Sequence, residues 1–242
     1  MGTPTEVLVR VKRYFEKWRE EASELLTEED RRLLKQALRN ASSLRILDVG
    51  CGYGRIMRII CSETDSYVVG LDIAESLLRQ AKSISDVVLG SLTHLPFRDR
   101  AFDVCLCIYG PLNHISSLTE GLKEMKRVCR WRVIATLCNK FSQYWLYRPM
   151  NILYSLLNWV REKLRIRRTK RKEAGLFIKP YHIKEILRAF KTCGLKIKFW
   201  RGQLLGKLKL HTHAKLLAVV ADVPSADENL SCQKIQSGDK ER

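Results

Sequence analysis

From Arg45 onward, the chain alternates short apolar runs with longer segments whose apolar residues recur at helical spacing. The apolar runs predict strands near 45–49, 67–71, 86–90, 102–108 and 132–138. The segments between most of these runs predict helices near 54–62, 74–83 and 117–129. Such alternation is typical of βαβ units. The sequence therefore predicts an α/β fold in which a parallel sheet carries helices on both faces.

Both ends of the chain and one internal segment depart from this rhythm. Residues 1–43 predict N-terminal helices, the second of which opens at Thr27 with acidic residues behind it. A single domain is predicted over 44–223, and it includes a basic and aromatic helical insertion at 139–180. The polar tail at 224–242 is predicted to be disordered.

A late helix is predicted after the insertion. Pro180 is expected to begin it, because proline suits the first position of a helix, and Gly194 is expected to end it. Between them, apolar residues follow the i, i+3, i+4, i+7 spacing of an amphipathic helix. Two closing strands are predicted near 195–201 and 214–223.

The segment ILDVGCGYG at 46–54 joins a buried strand to a glycine-rich turn. A dinucleotide fingerprint would need glycine at position 55, where this chain has Arg55. Asp48, just before the turn, suits a cationic ligand better than a pyrophosphate, and S-adenosylmethionine carries a sulfonium and an ammonium. Asp72 follows Gly54 by 18 residues and ends the second strand, where an acid can bond both ribose hydroxyls.

Taken together, four segments resemble the successive motifs of class I S-adenosylmethionine-dependent methyltransferases, specifically the type 11, UbiE-like group. They are ILDVGCGYG at 46–54, GLD at 70–72, LPFRDRAFD at 95–103 and GPLNHI at 110–115. The resemblance covers roughly residues 44–138. It implies a Rossmann-like sheet of seven mostly parallel strands, with the last two in an antiparallel hairpin. It also implies that the insertion forms a helical lid over the acceptor site.

The resemblance implies S-adenosyl-L-methionine as the cofactor. Asp48, Gly50 and Gly52 would border its methionine moiety, Asp72 its ribose, and the residues after the third strand its adenine. The complete set of cofactor-binding candidates is Asp48, Gly50, Cys51, Gly52, Gly54, Asp72, Ile73, Ser91, Leu92 and Tyr109. Tyr109 is expected to shape the cofactor wall.

Two positions depart from the family pattern. Ser91 stands where the family usually has an acid, and a hydroxyl can still bond the adenine amine, more weakly than a carboxylate. The usual Pro-Gly-Gly before the fifth strand is replaced by CRWR at 129–132, which is expected to alter a turn.

Few residues are candidates for the chemistry itself. Methyl transfer can proceed by alignment alone, so a base is optional. His114 in the loop after the fourth strand is the candidate base, and fixing that loop is its equally weighted alternative role. No metal site is predicted, because Cys105 and Cys107 have no further ligands nearby and His211 and His213 alternate with lysines.

The composition of the chain bears on its structural class and on the kind of partner it binds. Hydrophobic residues make up 45% and charged residues 29%, which excludes a disordered or collagen-like chain. The eight cysteines are expected to be reduced thiols. Of the net charge of +18, nearly all lies beyond residue 138, and such asymmetry favours an anionic partner.

The basic segment at 161–172 holds eight Lys and Arg next to an aromatic stretch, so it could meet an anionic membrane surface or RNA. A lid with a solvated charged face is the structural alternative. No stable protein partner is inferred. Since no secretion signal opens the chain, a cytoplasmic location is expected, with peripheral membrane binding as the alternative.

Three functions remain open from the sequence. The first is methyl transfer to a small, lipid-like acceptor, and the second is RNA methylation through the basic half. The third is a non-catalytic protein that binds the cofactor or docks on a membrane.

Overall fold

The computed structural model describes residues 23–38, 41, 43–109, 111–140, 179–203 and 216–225. Its strands are β1 (Arg45–Val49), β2 (Tyr67–Asp72), β3 (Val87–Leu89), β4 (Phe102–Cys107), β5 (Cys129–Cys138), β6 (Lys196–Gln203) and β7 (Leu216–Asp222). Its α-helices are α1 (Ser23–Ala37), α2 (Arg55–Glu63), α3 (Glu75–Ala81), α4 (Leu118–Val128) and α5 (Ile183–Thr192). A short 3-10 helix covers Pro111–Asn113.

The strands form one seven-stranded sheet in the order β3-β2-β1-β4-β5-β7-β6. The first five pair in parallel, and β7 lies antiparallel between β5 and β6. The predicted mostly parallel α/β sheet and its closing antiparallel pair are therefore confirmed. The strand order reverses between β1 and β4, which is where open α/β sheets bind ligands.

Alternate residues of each strand face opposite sides of the sheet, and each side is covered by helices. On one side, α4 and α5 bury residues such as Leu122, Met125 and Phe190. On the other side, α1, α2 and α3 bury residues such as Leu33, Met57 and Leu78. Helices on both faces are therefore confirmed.

The N-terminal helix α1 belongs to this second layer. It starts at Ser23, four residues before the predicted Thr27, and buries Leu33, Leu34, Ala37 and Leu38 in the same cluster as the apolar residues of α2. Two arginines of the sheet hold its backbone. Arg132 donates to the carbonyl of Ala37 and pairs with Asp222, and Arg201 donates to the carbonyl of Glu29.

Two predicted boundaries are wrong. The late helix begins at Ile183, because Tyr181 instead pairs with the end of β5: its amide donates to Cys138, and its carbonyl accepts from Lys140. The stretch CRWR at 129–132 forms the start of β5 and not a turn. Cys129 already pairs with Phe102, so α4 runs directly into β5, and a register shift absorbs the extra residue.

Several predictions fall partly or wholly outside the described residues. They include the helical insertion except its two ends, the basic segment at 161–172, most of the tail, and His211 and His213. Within the described part of the chain, no helix is long and apolar enough to cross a membrane.

Leu33→Ala should show how much α1 contributes to folding. Leu33 is fully buried, so its truncation should lower the free energy of unfolding by about 2–4 kcal/mol in urea titrations. Lys35→Ala, on the exposed face of the same helix, should change it by less than about 0.5 kcal/mol. Equal values for the two variants would contradict the packing of α1 on the sheet.

Candidate cofactor site

The predicted cofactor residues gather at the carboxyl edge of the sheet, around the point where the strand order reverses. The glycine turn follows β1, Asp72 ends β2, Ser91 follows β3, and Tyr109 follows β4. Parallel strands bring all four segments to the same edge. Sequence-distant candidates therefore converge there.

Gly50 and Gly52 both adopt the left-handed region, with φ of 74° and 56°. A Cβ on Gly50 would lie 2.2 Å from the ring of Pro111, so only glycine allows the loop after β4 to approach the turn. A Cβ on Gly52 would meet nothing within 4 Å among the described residues. The backbone at Gly52 therefore leaves room for a ligand.

Gly54 and Cys51 of the glycine turn are both buried. A Cβ on Gly54 would meet Ile84 and Ala81, so this glycine lets α2 start close against the end of α3. Cys51 is buried, and burial raises the pKa of its thiol. Whether either residue touches the cofactor stays a prediction, and both have a packing role besides.

The Asp72 carboxylate ties β2 to the glycine turn. Its Oδ2 accepts from the amide of Gly52 at 2.8 Å, and its Oδ1 accepts from the amide of Ala74 at 2.9 Å. Burial raises its pKa, and these backbone donors oppose that rise. Each carboxylate oxygen has a second lone pair, so Asp72 retains capacity to accept from hydroxyls of a ligand.

Asp48 is an unusual buried acid. It is 2% exposed, and its Oδ2 has no hydrogen-bond partner among the described residues. Burial raises its pKa to about 7, Arg55 opposes the rise, and Asp72 and Asp30 add to it. An orphaned buried carboxylate of this kind is stabilised by a cation, so it fits the positive groups of S-adenosylmethionine.

Apolar and hydroxyl side chains lie beyond β2 and β3. Ile73 and Leu89 are more than half exposed although apolar, and they lie next to the paired ends of the two strands. Ser91 shares a hydrogen bond of 2.9 Å with Thr93, whose hydroxyl lies 3.1 Å from Nδ1 of His94. Exposed apolar surface beside a hydroxyl suits a flat nucleobase such as adenine.

Leu92, the remaining candidate of this loop, is 5% exposed and belongs to the hydrophobic cluster under α4. The structure thus places its side chain in the core. A contact between the cofactor and this residue stays a prediction.

Tyr109 closes the site on the β4 side. Its backbone is left-handed, with φ of 66°, and its amide donates to the hydroxyl of Thr136 at 2.7 Å. The guanidinium of Arg55 lies 4.5 Å from its ring centroid. Arg55 in turn pairs with the buried carboxylate of Asp30 at 2.5 Å. Asp30 was expected only as one of the acids at the start of its helix, and neither it nor Thr136 was predicted to belong to the site.

His114 lies just after the 3-10 helix and is half-buried, with its amide bonded to the carbonyl of Pro111. The neighbouring Asn113 is fully buried and holds the loop. Its Nδ2 donates to the carbonyl of Lys179 at 2.7 Å, and its Oδ1 accepts from the amide of Cys138 at 3.0 Å. The role of His114 as a base stays a prediction, and the positioning role of Asn113 was missed.

The thiols of Cys105 and Cys107 lie on one face of β4, fully buried, and burial raises the pKa of both. Among the described residues, no group of three or more His, Cys, Asp or Glu side chains could hold a metal ion.

Comparison with known proteins relates this chain to methyltransferases. Residues 46–131 match a family model described as a methyltransferase domain. A solved S-adenosylmethionine-dependent methyltransferase of Thermotoga maritima, described as a possible histamine N-methyltransferase, superimposes with a TM-score of 0.60 at 15% identity. The alignment covers 90% of this chain and 98% of that one. Residues 46–131 are therefore similar to a methyltransferase domain, and the sheet has the same Rossmann-like fold as this solved structure.

Curated relatives match over a shorter range. An uncharacterized protein of Methanocaldococcus jannaschii is 32% identical over 146 residues, which are 54% of this chain and 62% of that protein. The 24-methylenesterol C-methyltransferase 2 of Arabidopsis thaliana is 35% identical over 95 residues, or 36% of this chain and 26% of that enzyme. The chain thus spans about three fifths of the archaeal relative, and a smaller part of the sterol enzyme.

The orphaned Asp48 should make the free protein less stable than it could be. Its pKa rises from 3.8 unfolded to about 7 folded, so its contribution to stability is lost as the pH rises through that interval. Asp48→Asn should therefore raise the free energy of unfolding by about 2–4 kcal/mol at pH 8. The gain should shrink towards pH 4, as measured by urea titration at several pH values.

Asp65→Asn, at an exposed acid of the loop before β2, is the matched control and should show no such pH-dependent gain. An Asp48→Asn variant that is less stable than the wild type at pH 8 would mean that the carboxylate already has a strong partner.

Proposed function

We propose that this protein is an S-adenosylmethionine-dependent methyltransferase whose acceptor is a small molecule, with lipophilic molecules the first class to test. The single observation that carries the proposal is Asp48, a buried carboxylate with an orphaned oxygen at the strand-order reversal of a methyltransferase domain. A cationic donor supplies the charge that this acid lacks. Asp72 and the open space at Gly52 support the same assignment.

When bound, S-adenosylmethionine supplies an electrophilic methyl group. Asp48 would hold the positive end of the donor, the Gly52 backbone would allow its close approach, and Asp72 would accept hydrogen bonds from its ribose. Ile73 and Leu89 would contact the adenine, and Ser91 would form a hydrogen bond with it. His114 would accept the proton that an acceptor hydroxyl or amine loses on methylation.

The anchors of the segment at 141–178, which lies outside the described residues, support one acceptor class. Lys140 and Tyr181 pair with each other at the end of β5, and Lys179 is held by Asn113, next to His114. Both ends of this segment are thus fixed at the donor edge of the sheet. Its sequence is rich in aromatic residues and leucine, so we propose that it favours a lipophilic acceptor.

RNA is the second candidate acceptor. The observation that favours it is the charge of the chain beyond residue 138, which accounts for most of the net +18. Lys and Arg neutralise phosphates, so binding would weaken steeply with added salt. The likeness to the sterol enzyme covers 95 residues, and it does not separate the two acceptors.

Calorimetry with S-adenosylhomocysteine tests the donor site. The wild type should bind it, and Asp72→Asn should weaken binding at least about tenfold, because the amide removes a charged acceptor from the ribose position. Asp65→Asn should leave binding unchanged, and thermal melting should confirm that both variants are folded. Wild-type protein without measurable binding, or equal binding by Asp72→Asn, would overturn the proposal.

Labelled methyl donor, incubated with the protein and separated lipid, RNA and protein fractions of the source cell, tests the acceptor. Label is expected in the lipid or small-molecule fraction, and the Asp72→Asn variant should reduce it. Label in the RNA fraction would favour the second candidate. Label in none of the fractions would favour a non-catalytic protein that binds the cofactor.

A further inference from the structure

The start of α2 carries a buried ion pair that connects three parts of the fold. Asp30 of α1 is fully buried, and its Oδ2 lies 2.5 Å from Nη1 of Arg55. The Arg55 side chain is only 20% exposed, and its guanidinium stacks on the ring of Tyr109. The pair thus joins α1 to the end of the glycine turn and to the loop after β4.

A buried ion pair in this position needs an explanation beyond stability. Removing two charges from water is costly, and well-packed apolar side chains often stabilise a protein equally well. The apolar contacts of Leu33, Leu34 and Ala37 already fix α1 on α2. Asp30 and Arg55 therefore have a role that packing alone does not require.

The charges around Asp48 suggest that role. Arg55 favours the ionised form of Asp48, whereas Asp72 on β2 and Asp30 on α1 disfavour it. Asp48 pairs in register with Leu106 of β4, so its side chain faces the side of the sheet on which α1 and α2, and hence Asp30 and Arg55, lie. The thiol of Cys51 lies on that side too, whereas those of Cys105 and Cys107 lie on the other, and the raised pKa values of all three keep them neutral. Arg55 is thus the principal cation acting on Asp48 among the described residues, and it is shared with Asp30.

We propose that Asp30 and Arg55 are positioning residues that set the negative charge Asp48 presents to the methyl donor. This inference rests on the function proposed above. Asp30 neutralises Arg55, so the arginine steadies Asp48 without adding a net positive charge that would repel a cationic ligand. Without the charge of Asp30, Arg55 would compete with the donor for Asp48.

Substitutions at the two members of the pair should shift the titration midpoint of Asp48 in opposite directions. Asp30→Asn removes a negative charge, so Asp48 should lose its proton at a lower pH than in the wild type. Arg55→Gln removes the opposing positive charge, so Asp48 should lose its proton at a higher pH. Shifts of about half a pH unit or more in each direction are expected, and the double variant should return towards the wild type.

The titration is followed directly in the free, full-length protein by NMR of carbon-13-labelled aspartate carboxyl groups, with Asp48→Asn used to assign the signal. Glu28→Gln and Arg58→Gln, at exposed charges of the same two helices, are the matched controls and should leave the midpoint unchanged. Should Asp30→Asn fail to fold, Arg55→Gln and the charge-preserving Arg55→Lys suffice, since only the first should move the midpoint.

The same variants are then compared for binding to S-adenosylmethionine and to the uncharged-sulfur product, S-adenosylhomocysteine. Asp30→Asn should weaken binding of the cationic donor several-fold more than binding of the product. Unmoved midpoints in folded variants, shifts of the same sign, or an equal loss for both ligands would overturn the inference. Absence of any ligand binding by the wild type would overturn the proposed function instead, and the link to the donor with it.

Discussion

The burial of Asp48 is the constraint on which the site depends. A carboxylate at the end of a parallel strand, enclosed by neighbouring strands and by the glycine turn, loses its water and gains no hydrogen bond at Oδ2 from the described residues. The protein tolerates this cost by raising the pKa of the group to about 7 and by placing Arg55 nearby. The site is therefore electrostatically incomplete without a positive ligand.

The glycine turn next to Asp48 is held from two sides. Asp72 binds the amide of Gly52, and Pro111 lies against Gly50 at a distance that excludes any side chain. The turn, β2 and the loop after β4 are thus fixed relative to one another before a ligand arrives. A preorganised site of this kind binds its ligand without the added cost of ordering loops.

Sequence patterns predicted the sheet well because both of its faces are buried, so each strand appears as a short apolar run. They failed where a long-range contact overrides a local preference. Pro180 suits a helix start, yet Tyr181 is pulled into pairing with the end of β5 and delays the helix. At Cys129 the reverse holds, since pairing with Phe102 extends the strand into what looked like a turn.

The candidate site was predictable only where its residues stand in a local motif. Asp48 and Asp72 flank recognisable segments, whereas Asp30 lies 25 residues before the arginine that it pairs with. Helical spacing from Leu33, Leu34 and Ala37 places Asp30 on the buried face of α1, but no local pattern identifies Arg55 as its partner. Asn113 poses the same problem, since its partners Cys138 and Lys179 are remote in sequence.

These two missed residues lie at opposite sides of the donor edge, and each connects it to a neighbouring segment. Asp30 connects it to α1, and Asn113 connects it to both ends of the basic, aromatic segment. In the function proposed above, donor recognition and acceptor recognition would thus use different parts of the chain that are anchored on one sheet edge. Evolution could change the acceptor through the second anchor while the charge balance around Asp48 stays intact.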